Sequence, residues 1–172
     1  MIWFTSDLHY GHKAIINLCE REFSSVEEMN RTLIQNWNSV VKRGDTVYIL
    51  GDISHRCSVE EVNEFISKLN GKKILIRGNH DKEYDFSLFE EVVDYLELKG
   101  YASVGIVLMH YPLLEWNGLR KGAIHLHGHQ HNKMGCDEQM CEEGIRRYDV
   151  GVDTNQYSPV SLKQILGFFG LD

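Results

Sequence analysis

No stretch of this sequence is apolar for long enough to cross a bilayer, so the membrane-spanning classes are excluded from the outset. Cysteine is sparse: Cys19, Cys57, Cys136 and Cys141 are irregularly spaced, with no CxxC pair, so neither a disulfide framework nor a thiolate zinc site is indicated. Cys136 and Cys141 form the one close pair, open to reading as a metal or redox pair or as two ordinary thiols. Proline occurs twice, and no repeat or low-complexity tract is present, which argues against disorder. An excess of basic residues is also missing. With 18 Lys and Arg against 25 Asp and Glu, the net charge of -7 speaks against holding an extended nucleic acid by its backbone. It leaves room for a small anionic substrate. Met1-Ile2-Trp3-Phe4-Thr5 has neither a basic flank nor a small-residue cleavage site, so a cytoplasmic protein is expected.

What is present suits one globular domain spanning 1–172. Ile2 to Thr5 reads as a buried strand, and a helix is expected from Lys13 to about Glu20. Ser24 and Glu27 read as a capping box opening a helix whose Val26, Met29, Leu33, Ile34, Trp37, Val40 and Val41 recur at three and four. Thr46 to Leu50 is a second strand. Ser58 with Glu61 starts a helix that Asn70-Gly71 closes, and Lys73 to Arg77 is a third strand. This alternation predicts crossover units and a largely parallel sheet. After a short helix near Ser87, strand-like runs at Val92–Leu98, Ser103–Met109, Ala123–His127 and Arg146–Val152 precede a final helix, Ser161–Phe169, capped by Ser161 and Gln164. Two facing sheets with helices outside are expected.

The chemistry gathers where strands end. The first strand runs into Asp7 and His9, the second into Gly51-Asp52, and the third into Gly78-Asn79-His80-Asp81. The run to Met109 delivers His110, and the run to His127 delivers His129 and His131 through Gly128. In open α/β sheets the ligand site lies beyond the carboxyl ends of the strands, so these side chains are expected to converge. Imidazoles, carboxylates and one amide suit manganese, iron, nickel or zinc better than magnesium or calcium. Asp7, His9, Asp52, Asn79, His110, His129 and His131 are too many for one tetrahedral ion and about right for two that share a carboxylate.

Those five blocks, in this order, resemble the calcineurin-like metallophosphoesterase family. The resemblance implies a four-layer α/β sandwich of two mixed sheets flanked by helices. It further implies that Asp7, His9 and His131 hold one divalent ion and Asn79, His110 and His129 the other, with Asp52 bridging them. His80 would be the catalytic imidazole and Asp81 its orienting carboxylate. Two such ions, about 4 Å apart, generate a bridging hydroxide and neutralise charge on the phosphate it attacks in line. Manganese is the favoured ion. The small, capless chain resembles members that prefer phosphodiesters, so a small diester or nucleotide-like substrate is expected, acted on by a monomer or homodimer. A phosphomonoesterase or protein phosphatase, or a scaffold without catalysis, are the alternatives.

Further residues stay open. His12 is expected to line the pocket and touch phosphate. Arg56 falls where the family carries a phosphate-gripping arginine, but His55 stands in place of the Asp of the best-known phosphatases, so Arg56 reads equally as a solvated loop arginine. His125 and His127 share one strand face and read as hydrogen-bonded interior histidines. Tyr10, Tyr111 and Trp116 could stack on an aromatic leaving group or simply cover the core.

Overall fold

Ile2–Thr5 (β1) sends consecutive side chains to opposite faces, and both faces are covered. Trp3 joins one apolar core and Phe4 another. Thr46–Ile49 (β2) and Lys72–Ile76 (β3) follow the same rule, with Val47, Ile49 and Leu75 on the first face and Tyr48 and Ile76 on the second. Parallel pairing aligns Phe4 with Tyr48 and Tyr48 with Ile74, so one register serves both cores. Glu91–Val93 (β4) adds a parallel strand beside β3, and Val160–Ser161 (β9) pairs antiparallel with β1. The computed structural model describes residues 1–171.

A second sheet is built from Leu96–Leu98 (β5), Ile106–Leu108 (β6), Ile124–His127 (β7) and Arg147–Asp149 (β8). The sheet orders are β4-β3-β2-β1-β9 and β5-β6-β7-β8, and both are mixed. Phe4, Leu50, Ile76, Ile106, Leu108, Ile124 and Leu126 fill the space between the sheets. The helices Lys13–Leu18 (α1), Val26–Val40 (α2) and Val59–Ser67 (α3) supply the core on the far face of the first sheet, through Ile15, Leu33, Trp37, Phe65 and Ile66. Outside the second sheet the cover is thinner. Trp116, Leu113 and Leu119 lie against Val107. Cys136–Glu142 (α4) packs beside β8, and Leu162–Phe168 (α5) closes the inter-sheet core with Ile165. The expected sandwich is the fold observed. Among the described residues no helix is long and apolar enough to cross a membrane.

Two local expectations are corrected, and one element is added. The cap of α2 sits one residue later: Ser25 Oγ accepts from the Glu28 N–H, while the Glu28 carboxylate accepts from the Ser24 N–H and hydroxyl. A Ser-Ser pair before Val-Glu-Glu fits either register, and the later one puts Met29, Leu33 and Trp37 on the sheet. The run Val92–Leu98 is two strands, because β4 ends one sheet and β5 begins the other within three residues. The Gly135–Gly144 segment, for which the sequence gives no expected element, contains α4. Asp137 anchors it by accepting the Asp149 N–H at 3.1 Å. Ser58 and Ser161 form the expected capping boxes; each N-cap contributes about 1 kcal/mol.

Candidate metal centre

The loops after β1 and β2 continue to pair beyond the strands. Asp7 N–H donates to Gly51 O, His9 N–H to Asp52 O and Tyr10 N–H to Ile53 O, so the two loops leave the sheet as one layer. Along it the backbone is unusual. Asp7, His9 and Asp52 have φ of 54°, 49° and 54°, and His129 and His131 across the site have 71° and 50°. Left-handed conformations are rare outside glycine and concentrate where the surroundings force a side chain into place for function. Two glycines permit the approach. A Cβ at Gly78 would overlap Asp52 Oδ1, and one at Gly128 would overlap Ser6 Oγ and Asp7 Oδ2.

The carboxylates each use one oxygen inward. Asp7 Oδ2 accepts from Ser6 Oγ at 2.6 Å and from the His129 N–H at 2.9 Å, leaving Oδ1 buried with no partner 3.8 Å from His131 Nε2. Asp52 Oδ1 accepts from the His80 N–H at 2.9 Å. Its Oδ2 lies 3.7 Å from His9 Nε2, 3.6 Å from His110 Nε2 and 4.0 Å from His80 Nε2. His9 Nε2 is likewise buried and unpartnered. Orphaned buried polar atoms are costly unless something binds them, so these point to an ion.

The imidazoles are aimed by their other nitrogens. His110 Nδ1 donates to Leu50 O at 2.7 Å, and His131 Nδ1 donates to Asp153 Oδ2 at 2.7 Å, which turns both Nε2 atoms inward. Among the described residues three groups have ligand atoms within 4.8 Å of one another: Asp7–His9–His131, Asp52–His110–His129, and Cys19–His131–Asp153 beside the first. Asn79 Oδ1 adds to the second, 3.1 Å from His110 Nε2. Thus the structure brings together all seven residues singled out from the strand ends, and their donor set suits divalent transition metals.

The ionisable groups of the site depart from their ordinary values in both directions. Burial pushes the His9 imidazole down to about 2, helped by His131 and Arg21, so the ring is neutral and its lone pair free. Burial raises the Asp7 carboxyl to about 6, despite the lowering effect of His131 and His110. Burial also opposes charge on His131. There the hydrogen bond to Asp153 and contacts with Cys19 and Asp7 prevail and raise the ring to about 10.

His80 is 38% exposed at the mouth, next to Asp52 and with its ring centroid 5.7 Å from that of His9. The expected orienting bond from Asp81 is not found among the described residues. Asp81 Oδ2 accepts from the Asp52 and Gly78 N–H groups, and Oδ1 from the Ile53 N–H and Tyr84 hydroxyl, at 2.8 to 3.0 Å. Its carboxylate ties the second and third loops together, which fixes Asp52 instead of the His80 ring. His12 lies beside His9, with the two Nδ1 atoms 3.4 Å apart, and Arg56 is exposed on a left-handed backbone at φ 64°. Of the aromatics, Tyr10 stacks on Phe65 and Trp116 is buried, donating to Ala123 O, so both belong to packing. Tyr111 is exposed, its ring 4.6 Å from His129, beside a cavity of about 490 Å³ bounded by Asn79 and Met109.

Sequence reasoning passed over Arg21 and Asp153. Buried Arg21 grips Asp153 with Nε and Nη2 at 2.7 and 2.9 Å, and donates to Asp7 O and Leu8 O at 2.7 and 3.0 Å. Asp153 was findable by the strand-end rule, since it follows β8 through Val150-Gly151-Val152. His125 is an interior histidine, as expected: Nδ1 donates to Val107 O and Nε2 accepts the Leu113 N–H.

Comparison with known proteins gives the family. Residues 1–155 match the family model described as calcineurin-like phosphoesterase. The chain is 39% identical over 166 residues to the protein named "Uncharacterized protein MJ1445" from Methanocaldococcus jannaschii, covering 96% of this chain and 89% of the other. It is 32% identical to the Gene 66 protein of Mycobacterium phage L5, covering 88% and 86%. A crystal structure titled as a protein of unknown function, AQ665 from Aquifex aeolicus, superposes with a TM-score of 0.75 at 30% identity, over 96% of this chain and 97% of that one. By the extent of the family match and of these relatives, the chain belongs to the calcineurin-like phosphoesterase family.

Proposed function

We propose that this protein hydrolyses a small phosphodiester or nucleotide-like ester with two divalent transition-metal ions, manganese favoured. The observation that carries the reading is Asp52 Oδ2, which lies 3.7 and 3.6 Å from the Nε2 atoms of His9 and His110, one from each ligand group. Asp7, His9 and His131 would hold one ion, Asn79, His110 and His129 the other, and Asp52 both. Bound there, the ions would acidify a water and neutralise charge on the phosphoryl oxygens.

The chain's own groups do the rest. Water attacks phosphorus in line, the bond to the leaving oxygen breaks, and His80 at the mouth gives that oxygen a proton. Asp81 acts through the loop it fastens, holding Asp52 at its place. His12, its ring beside that of His9, and Arg56, near enough to act on the His12 ring, would bind phosphate oxygens of the substrate, while the exposed Tyr111 ring would offer a face to a base or aryl group. The 38% exposure of His80 supports a site that would admit an ester with substituents on both sides, and so a diester.

The test is hydrolysis of bis(p-nitrophenyl) phosphate against p-nitrophenyl phosphate by metal-stripped protein reloaded with manganese. Higher kcat/KM on the diester supports the reading. A preference for the monoester moves the activity to the phosphomonoesterase class, and inertness toward both with two ions bound refutes it.

A further inference from the structure

The His55 ring has no hydrogen bond among the described residues, yet it is surrounded by imidazoles. Its centroid is 4.4 Å from His12 and 4.4 Å from His80, and His9 lies 6.4 Å away. The parallel bridge between Tyr10 and Ser54 brings the first and second loops together and so sets His55 against His12. Cationic groups border the pair. Arg56 adjoins His55, and Lys82 donates to Cys57 O at 2.7 Å; burial first, and then His80, Arg56 and Lys82, push the His55 ring down from its ordinary value. One side of His80 is therefore a wall of hydrogen-bond donors in a protein of net charge -7. The opposite side, past Asn79, carries Tyr111 and one arginine, Arg77, whose guanidinium is paired with Asp94 and Glu83.

An uncharged alkyl or aryl leaving group has no use for those donors. Because His80 stands at the leaving side, a group bound by His12 and His55 would sit one link beyond the scissile bond. We infer that His55, paired with His12, is a specificity residue that binds a second phosphate on the leaving group, so that the favoured substrates are phosphoanhydrides or diesters carrying a neighbouring phosphate. This deepens the phosphodiesterase reading and rests on it. The reaction balances as hydrolysis: water adds oxygen to the scissile phosphorus, and the phosphorus–oxygen bond to the second phosphate breaks. The electron pair leaves on the bridging oxygen, and His80 supplies the proton.

The experiment compares di(adenosine-5′) pyrophosphate, whose leaving group is AMP, with adenylyl-adenosine, whose leaving group has no phosphate. For the manganese-loaded protein, His55→Ala is expected to raise KM for the pyrophosphate about tenfold, at least five times its effect on the dinucleotide. His55→Lys, which keeps an N–H donor at that place, is expected to recover most of that loss. Equal losses on both substrates, falling on kcat and not rescued by lysine, would mean that His55 merely braces His80 and would overturn the inference. A separate readout needs no metal: calorimetry of inorganic pyrophosphate with metal-stripped protein should show binding that His55→Ala weakens at least fivefold and His55→Lys retains. Unchanged binding in the alanine variant counts against the subsite. Failure to hydrolyse any diester, with pyrophosphate binding still dependent on His55, sinks the phosphodiesterase reading and leaves the anion site standing.

Discussion

Arg21→Met is the perturbation with the most to say about how the centre is held. It nearly conserves volume but removes a buried guanidinium that is bidentate to Asp153 and donates to Asp7 O and Leu8 O. Removing one partner of a buried ion pair costs about 3–5 kcal/mol, because the other charge stays behind. Here His131, hydrogen-bonded to Asp153 at 2.7 Å, shares that charge, so the lower end, about 3 kcal/mol, is expected. For a chain of this size that lowers the melting temperature of the metal-free protein by roughly 6–12 °C. The Asp7 turn loses a backbone anchor at φ 54°, so the ion held by Asp7, His9 and His131 should weaken by about 10–100-fold while the other changes less. Calorimetric manganese titration resolves the two. A double-mutant cycle with Asp153→Asn should give a coupling of about 1.5 kcal/mol or more. Additivity within about 0.5 kcal/mol, or equal weakening of both ions, would refute the reasoning.

Replacing His80 by Ala should leave two manganese ions bound yet slow turnover about 10²-fold or more on an alkyl diester, and less on a nitrophenyl one whose leaving group needs no proton; equal losses would remove His80 from the acid role. Acid should destabilise the metal-free protein through His125. Burial holds that ring at about 4, against 6.5 for an ordinary histidine, so the folded state keeps it neutral. As pH falls below 6.5 the unfolded chain takes up the proton first, and stability is lost down to about pH 4, by roughly 3 kcal/mol. Urea midpoints across that window check it, and His125→Gln should flatten the slope.

Much of the site was legible because its rule is local: an apolar run that stops at Gly, Asp or His marks a strand end. Asp7, Asp52, Asn79 and His110 follow it. Asp153 follows it too, but no metal-ligand spacing drew attention there. Arg21 gave no signal at all, because its partner is 132 positions away and its burial depends on the finished fold. Asp81 was misjudged for a related reason. Adjacency in sequence suggested a bond to His80, whereas the tight turn directs the carboxylate toward the backbone of the β2 loop. The switch of sheets between β4 and β5 was equally hidden, since Val92 to Leu98, broken only by Asp94 and Glu97, fits one long strand as well as two short ones. α4 was obscured by its composition, for Gly-Cys-Asp-Glu-Gln-Met-Cys has little periodic apolar content, and a buried Asp137 holds the helix instead.

The shared position of Asp52 between two ligand groups is the centre of the account. The most direct measurement is the rate of bis(p-nitrophenyl) phosphate hydrolysis as manganese is added stepwise to metal-stripped protein, with bound metal determined at each step. The account predicts that activity climbs until two ions are bound per chain, and that Asp52→Asn weakens both. A plateau at one ion per chain, or an Asp52→Asn variant binding two at unchanged affinity, would contradict it.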